Sequence, residues 1–111
     1  MLHVMCSMKI MGITIYVTYP NLKEAKKATD HLLKEKLVAC IAFSSIKSKF
    51  WWQGKIDTAN EVVTLLATKK HNWTKARDEI KKMHSYKVPC IKKTEFVANV
   101  DYENWIKNVT K

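Results

Sequence analysis

The residues best suited to chemistry in this chain are two thiols and an imidazole: Cys40, Cys90 and His84. Thiolate and imidazole together suit Cu(I) or Zn(II), so these three are the candidate metal ligands. No C-x-x-C or H-x-x-x-H spacing arranges them in advance, and only the fold can bring them together. Cys40 in its apolar run also reads as a small core residue, as does Cys90. His84 stands at a helix end beside a loop, where a ligand or cleft role competes with helix capping. Tyr86 follows in the same segment, either lining a cleft or packing with its hydroxyl satisfied. Lys55 and Lys69 complete the candidate cleft. Each can hold an anion or pair with Glu61 across a hairpin, and the ion pair is the preferred reading. Nothing resembles a nucleophile with its base, a Gly-rich phosphate loop or a working carboxylate pair. No catalytic residue is assigned, and the reading is a non-enzymatic protein without an organic cofactor.

Bulk properties narrow the class. The chain has 111 residues, which by length is one domain, 1–111. No apolar run reaches the ~20 residues that a bilayer span needs, so no membrane partner is expected. Residues 1–11 are apolar and Met-rich, without a basic n-region or a small-residue cleavage site, and read as an N-terminal extension. Three cysteines at wide spacing make a poor disulfide framework, which points to a reducing compartment, the cytoplasm. The net charge of +10 raises the question of nucleic acid. Arg77 is the only arginine, however, and arginine is the residue suited to bidentate phosphate and guanine contacts. The lysines are dispersed, and the aromatic RNA-binding pattern of small four-stranded domains is missing. No nucleic acid is expected.

The candidates must be positioned by short elements, for the chain has two glycines and two prolines. Ile13–Tyr19 is β-branched and aromatic and reads as a strand. Asn21 with Glu24 three residues later opens a helix to about Lys36. Leu37–Phe43 reads as a second, largely buried strand. A bend or bulge is expected at Ser44–Ser48 before the strand resumes to Trp52. Gln53-Gly54 is a hairpin turn, and the third strand runs from Lys55 to Thr68. Asn72 caps a second helix with Trp73, Ala76, Ile80 and Met83 inward. Cys90–Val100 is the fourth strand and Tyr102–Val109 a closing helix. The order predicts an α+β, ferredoxin-like βαββαβ antiparallel sheet. Both helices lie on one face, an extra helix closes the chain, and the hairpin between strands two and three is long. The other sheet face then lacks a cover, and its aromatics point to oligomerisation.

In this order the chain resembles the CutA family of divalent-cation tolerance proteins, from about Ile13 to Trp105. The resemblance rests on Thr18-Tyr19-Pro20, Lys36-Leu37-Val38-Ala39-Cys40 and Ser48-Lys49-Phe50-Trp51-Trp52-Gln53-Gly54-Lys55. It continues through Glu61-Val62, Thr68-Lys69, His84-Ser85-Tyr86-Lys87-Val88-Pro89 and Tyr102-Glu103-Asn104-Trp105. It departs from the family's pattern at Ala42, Ser44-Ser45, Ser85 and Cys90. The resemblance implies a homotrimer with Trp52 and Trp105 in the interface, and inter-subunit clefts laid out like those of PII signalling trimers. It also implies binding of copper or another divalent metal and a response to metal ions. The alternative is a trimeric signalling scaffold that takes a small anionic ligand or a protein partner in those clefts.

Overall fold

The computed structural model describes residues 12–111; the extension read at 1–11 lies outside the described residues. Strand β1 (Gly12–Tyr19) leads to helix α1 (Leu22–Lys34) and the long hairpin β2 (Cys40–Trp52) and β3 (Lys55–Thr68). A 3-10 turn at Lys70–Asn72 opens into helix α2 (Trp73–Met83), followed by β4 (Ile91–Phe96) and helix α3 (Val100–Val109). The strands form one antiparallel sheet in the order β2-β3-β1-β4. This is the expected ferredoxin-like α+β arrangement.

Alternation along β1 explains the core. Ile13, Ile15, Val17 and Tyr19 point to one face and are fully buried. They meet Ala25, Ala28 and Leu32 of α1, Ala76 and Ile80 of α2, and Leu66 of β3. The start of α1 is set by Asn21, whose side-chain oxygen accepts the Glu24 N–H at 2.9 Å. Its end is a Schellman closure. Leu37 N–H donates to Leu32 O and Lys36 N–H to Leu33 O, both at 3.0 Å. Lys36 takes the left-handed position there, at φ 57°.

The hairpin pairs in one continuous register from Cys40↔Ala67 to Trp52↔Lys55. No residue is inserted at Ser44–Ser48, so the expected bulge is absent. The serines are accommodated because β2 is an edge strand with solvent on its outer side. For the same reason Ile41 is only half-buried and Ala42 and Phe43 are exposed. Leu37 and Val38, read as strand, are buried in the connection before it. The turn at Gln53-Gly54 has φ of 49° and 79°, the type I′ geometry whose twist matches the strands. β1 stops at Tyr19↔Val62. The seven pairs from Ile46↔Glu61 to Trp52↔Lys55 therefore continue as a two-stranded arm, roughly 23 Å long at ~3.3 Å per residue. It gives the molecule its extents of 53 × 31 × 22 Å.

Asn72 does not cap α2 with its side chain. Its amide donates instead to Thr68 Oγ1 at 3.1 Å and Lys111 O at 3.3 Å. Thr68 passes the chain on to Leu37 O at 2.6 Å. The buried hydroxyl competes for the amide, and the tie fastens β3 to both flanking connections. β4 is shorter than expected, because only Ile91–Phe96 finds partners on β1.

A left-handed lysine is strained relative to glycine. Lys36→Gly should raise stability by about 0.5–1 kcal/mol in urea unfolding, and a loss would show that the lysine side chain supplies a contact. Between α1 and α2, Glu79 accepts from Lys82 at 2.8 Å and meets His31 Nε2 at 2.9 Å. The bond from Lys82, then that from His31, holds its carboxyl at about 2, below the ordinary 4.5. A depressed carboxyl stabilises the fold above its unfolded value, and that contribution is lost as pH falls through the folded one. Melting temperature should therefore fall between pH 4.5 and 2 less steeply in Glu79→Gln than in the parent; equal slopes would discard this account.

Candidate functional site

The sheet separates the candidate residues into two ends. Cys40 is in register with Ala67, and Ala67 with Thr14, at the end where β1 begins. It faces away from α1 and α2, and its sulfur lies 3.2 Å from the Tyr102 hydroxyl of α3. That bond, with burial, pushes the Tyr102 hydroxyl up to about 12. Tyr102 also meets Phe96 and Trp105, with ring centroids 6.4 and 5.8 Å away. At this end Lys69 reaches Thr110 O at 3.4 Å.

The other end is organised by His84. Its side chain is fully buried and stacks on Tyr19, with centroids 4.6 Å apart and planes at 12°. Tyr86 N–H donates to Nδ1 at 3.1 Å. Nδ1 is thus the acceptor, and Nε2 carries the proton that it donates to Thr18 O at 2.7 Å. Both ring nitrogens are occupied. The Tyr86 ring leans on His84 at 4.8 Å, and its hydroxyl donates to Glu61 Oε2 at 2.6 Å. Burial, then the bond to Glu61, raises the Tyr86 hydroxyl well above its ordinary value. Glu24 closes the group. Its Oε2 accepts Ser85 N–H at 3.1 Å and lies 3.8 Å from His84 Nδ1. Tyr19 is fully buried and its hydroxyl has no partner among the described residues. Burial, then the nearby Glu24 charge, raises that hydroxyl too.

One chain does not bring the candidate metal ligands together. Four residues of β1 separate the level of Cys40 from Thr18, the residue that holds His84, roughly 13 Å along the strand. Cys90 is exposed at the start of β4, nearer His84 than Cys40. Among the described residues no group of three or more His, Cys, Asp or Glu is placed to hold an ion. The candidate cleft divides likewise. Tyr86 belongs to the His84 group, Lys69 to the opposite end, and Lys55 to the tip of the arm. The expected ion pair of Lys55 or Lys69 with Glu61 does not form. Lys55 sits opposite Trp52, six residues along β3 from Glu61, whose carboxylate is taken by Tyr86. Trp52 and Trp105 both remain partly exposed in the single chain.

Sequence reasoning missed Glu24 and Tyr19 as partners of His84, and Glu61 as the partner of Tyr86. Glu24 carried a local signal, but one that pointed to capping. Its N–H does serve the cap, while its carboxylate crosses to Ser85.

A βαββαβ sheet with a face that α3 covers only at the Cys40 end, a long paired arm and an aromatic-flanked histidine at the arm's root defines a small ferredoxin-like α+β protein. The comparisons narrow this further. Residues 13–109 match the family of the CutA1 divalent ion tolerance protein, and the chain belongs to that family. It is 47% identical over 77 residues to a divalent-cation tolerance protein CutA of Archaeoglobus fulgidus, covering 69% of this chain and 76% of the relative. A CutA of Pyrococcus horikoshii is 36% identical over 100 residues, 89% of this chain and 98% of the relative. Among solved structures, the periplasmic divalent cation tolerance protein CutA of A. fulgidus superposes with a TM-score of 0.89. That pair is 38% identical and covers 91% of this chain and all of that one. CutA1 of Oryza sativa gives 0.88 at 31% identity, over 95% and 98%.

Tyr86→Phe removes the described donor to Glu61, a carboxylate only 8% exposed. It should cost about 1–3 kcal/mol, read by urea unfolding at a fixed protein concentration. No loss would mean that Glu61 finds another donor.

Proposed function

We propose that the chain acts as a homotrimeric divalent-cation tolerance protein that binds metal ions, copper among them, and works by binding rather than catalysis. The observation that carries the reading is the sheet face away from α1 and α2, which α3 covers only at the Cys40 end. Leu65 on β3 and Phe50 and Trp52 on the arm share it and are 39–41% exposed in one chain. A two-stranded ribbon is marginal alone in water, so an arm with aromatics on that face calls for a second copy. Trp52 and Trp105 are the proposed interface anchors. The printed names of the relatives support the link to divalent cations.

Among the described residues, the donor set of one chain does not fit a three-ligand ion. Metal binding therefore requires donors from more than one subunit, with the exposed thiol of Cys90 the one most open to a second copy. We place the protein in the cytoplasm, on the free thiols Cys40 and Cys90, although one structural relative is described as periplasmic. A second reading has the same clefts hold a small anionic ligand. The +10 charge and the internally satisfied His84 nitrogens favour it.

Light scattering should give three times the 12.9 kDa chain mass, and Trp52→Ser with Trp105→Ser should shift that toward one. A monomeric parent would sink the assembly. Cu(I) titration under reducing conditions should show binding that Cys90→Ser weakens about tenfold or more. If Cys40→Ala/His84→Ala/Cys90→Ala binds Cu(I) like the parent, these residues are not the metal site, and the anionic ligand becomes the stronger reading.

A further inference from the structure

The continuous register of the hairpin assigns every arm residue to a face. Phe50 and Trp52 lie on the continuation of the sheet face away from α1 and α2. Trp51 and Ile56 are directly opposed and lie on the other, the continuation of the helix-covered face. No helix of the described residues follows them there. Trp51 is 73% exposed and Ile56 60%, against 39% and 41% for Phe50 and Trp52. The pairs Lys49↔Thr58 and Lys47↔Asn60 share this face, and all four residues are exposed. Asp57 and Glu61 pair with Phe50 and Ile46 on the opposite face. One ribbon face thus carries an apolar aromatic–aliphatic pair at its tip and two lysines behind it, with no acid.

We propose that this face, Trp51 and Ile56 with Lys47 and Lys49, is a docking surface for an anionic phospholipid bilayer. The chemistry of each part fits. An indole is amphipathic and settles at the headgroup level. An isoleucine beside it adds apolar area at the acyl boundary. Lys49 and Lys47, two and four residues back along β2, meet anionic headgroups as point charges. The ribbon is only two strands wide, which suits lying on a surface better than enclosing a peptide side chain. It has no arginine for bidentate phosphate or base contacts; Arg77 is spent over Trp73 on α2, 5.8 Å from the ring centroid. The absence of a spanning segment, on which the expectation of no membrane rested, does not bear on a surface that lies on a bilayer. The proposal rests on the assembly reading only in giving the Phe50–Trp52 face to the second copy.

The test is co-sedimentation of the full chain with vesicles of phosphatidylcholine containing roughly 30% phosphatidylserine, beside vesicles of phosphatidylcholine alone. The expected result is binding to the anionic vesicles alone, weakened about tenfold or more by Trp51→Ser and by Ile56→Thr. Lys47→Ser with Lys49→Ser should lose a similar factor. Light-scattering mass and melting temperature of the variants should match the parent. Three results would overturn the proposal: unchanged vesicle binding in the tip variants, which reduces it to net charge; a changed mass in Trp51→Ser, which makes Trp51 an assembly contact; or tighter binding to a single-stranded oligonucleotide, lost in Trp51→Ser. A monomeric parent that still binds vesicles through Trp51 would overturn the assembly reading and leave this one standing.

Discussion

Backbone pairing between β2 and β3 continues after β1 has stopped, and most of what is distinctive in this molecule follows from that mismatch in length. Inside the domain, β3 is flanked on both sides and roofed by α1 and α2. Beyond Glu61 the same two strands have only each other. Their backbone bonds are made, but each side chain has a neighbour on one side at most. Residues that a third strand would cover are left as half-exposed aromatics. The arm is thus an element whose hydrogen bonds are complete and whose hydrophobic burial is not. The single chain meets the first requirement along the arm and leaves the second unmet there.

The root of the arm is held by an imidazole that makes no use of its charge. His84 acts as a neutral linker, with one nitrogen giving to β1 and the other receiving from the loop that begins β4. Around it two carboxylates are used for their lone pairs, Glu24 for a backbone N–H and Glu61 for a phenol. In a chain with so many lysines, both have been given neutral donors at these contacts. That choice fixes geometry at the arm's root without adding a salt-sensitive contact there.

The parts legible in the sequence were those with local rules. Strand β1 announced itself by β-branching, α1 by Asn21 and Glu24, and the turn by Gln53-Gly54. The family motifs marked the arm and the His84 loop. The failures share a cause as well. Cys40–Phe43 looks buried because it is apolar, yet burial depends on sheet position, and β2 proved to be the edge. Ser44–Ser48 looked like an interruption, although an edge strand tolerates serines. Asn72 looked like a cap until a hydroxyl four residues earlier took its amide. Glu61 reaches Tyr86 across 25 residues, and no spacing rule foretells such a pair. The lysines assigned to Glu61 were chosen for charge, where the structure supplies a hydroxyl.

The two-residue turn at Gln53-Gly54 also carries information. Adjacent tryptophans on a ribbon are opposites: Trp52 belongs to one side of the sheet and Trp51 to the other. The side chains are chemically identical, so composition cannot decide which does what. Only the phase of the pairing can, and a slip of one residue would exchange their faces. With no bulge along the arm to lock the phase, the left-handed geometry at Gln53 and Gly54 sets it. A turn far from His84 and from the core therefore acts as the index mark that tells two identical residues apart.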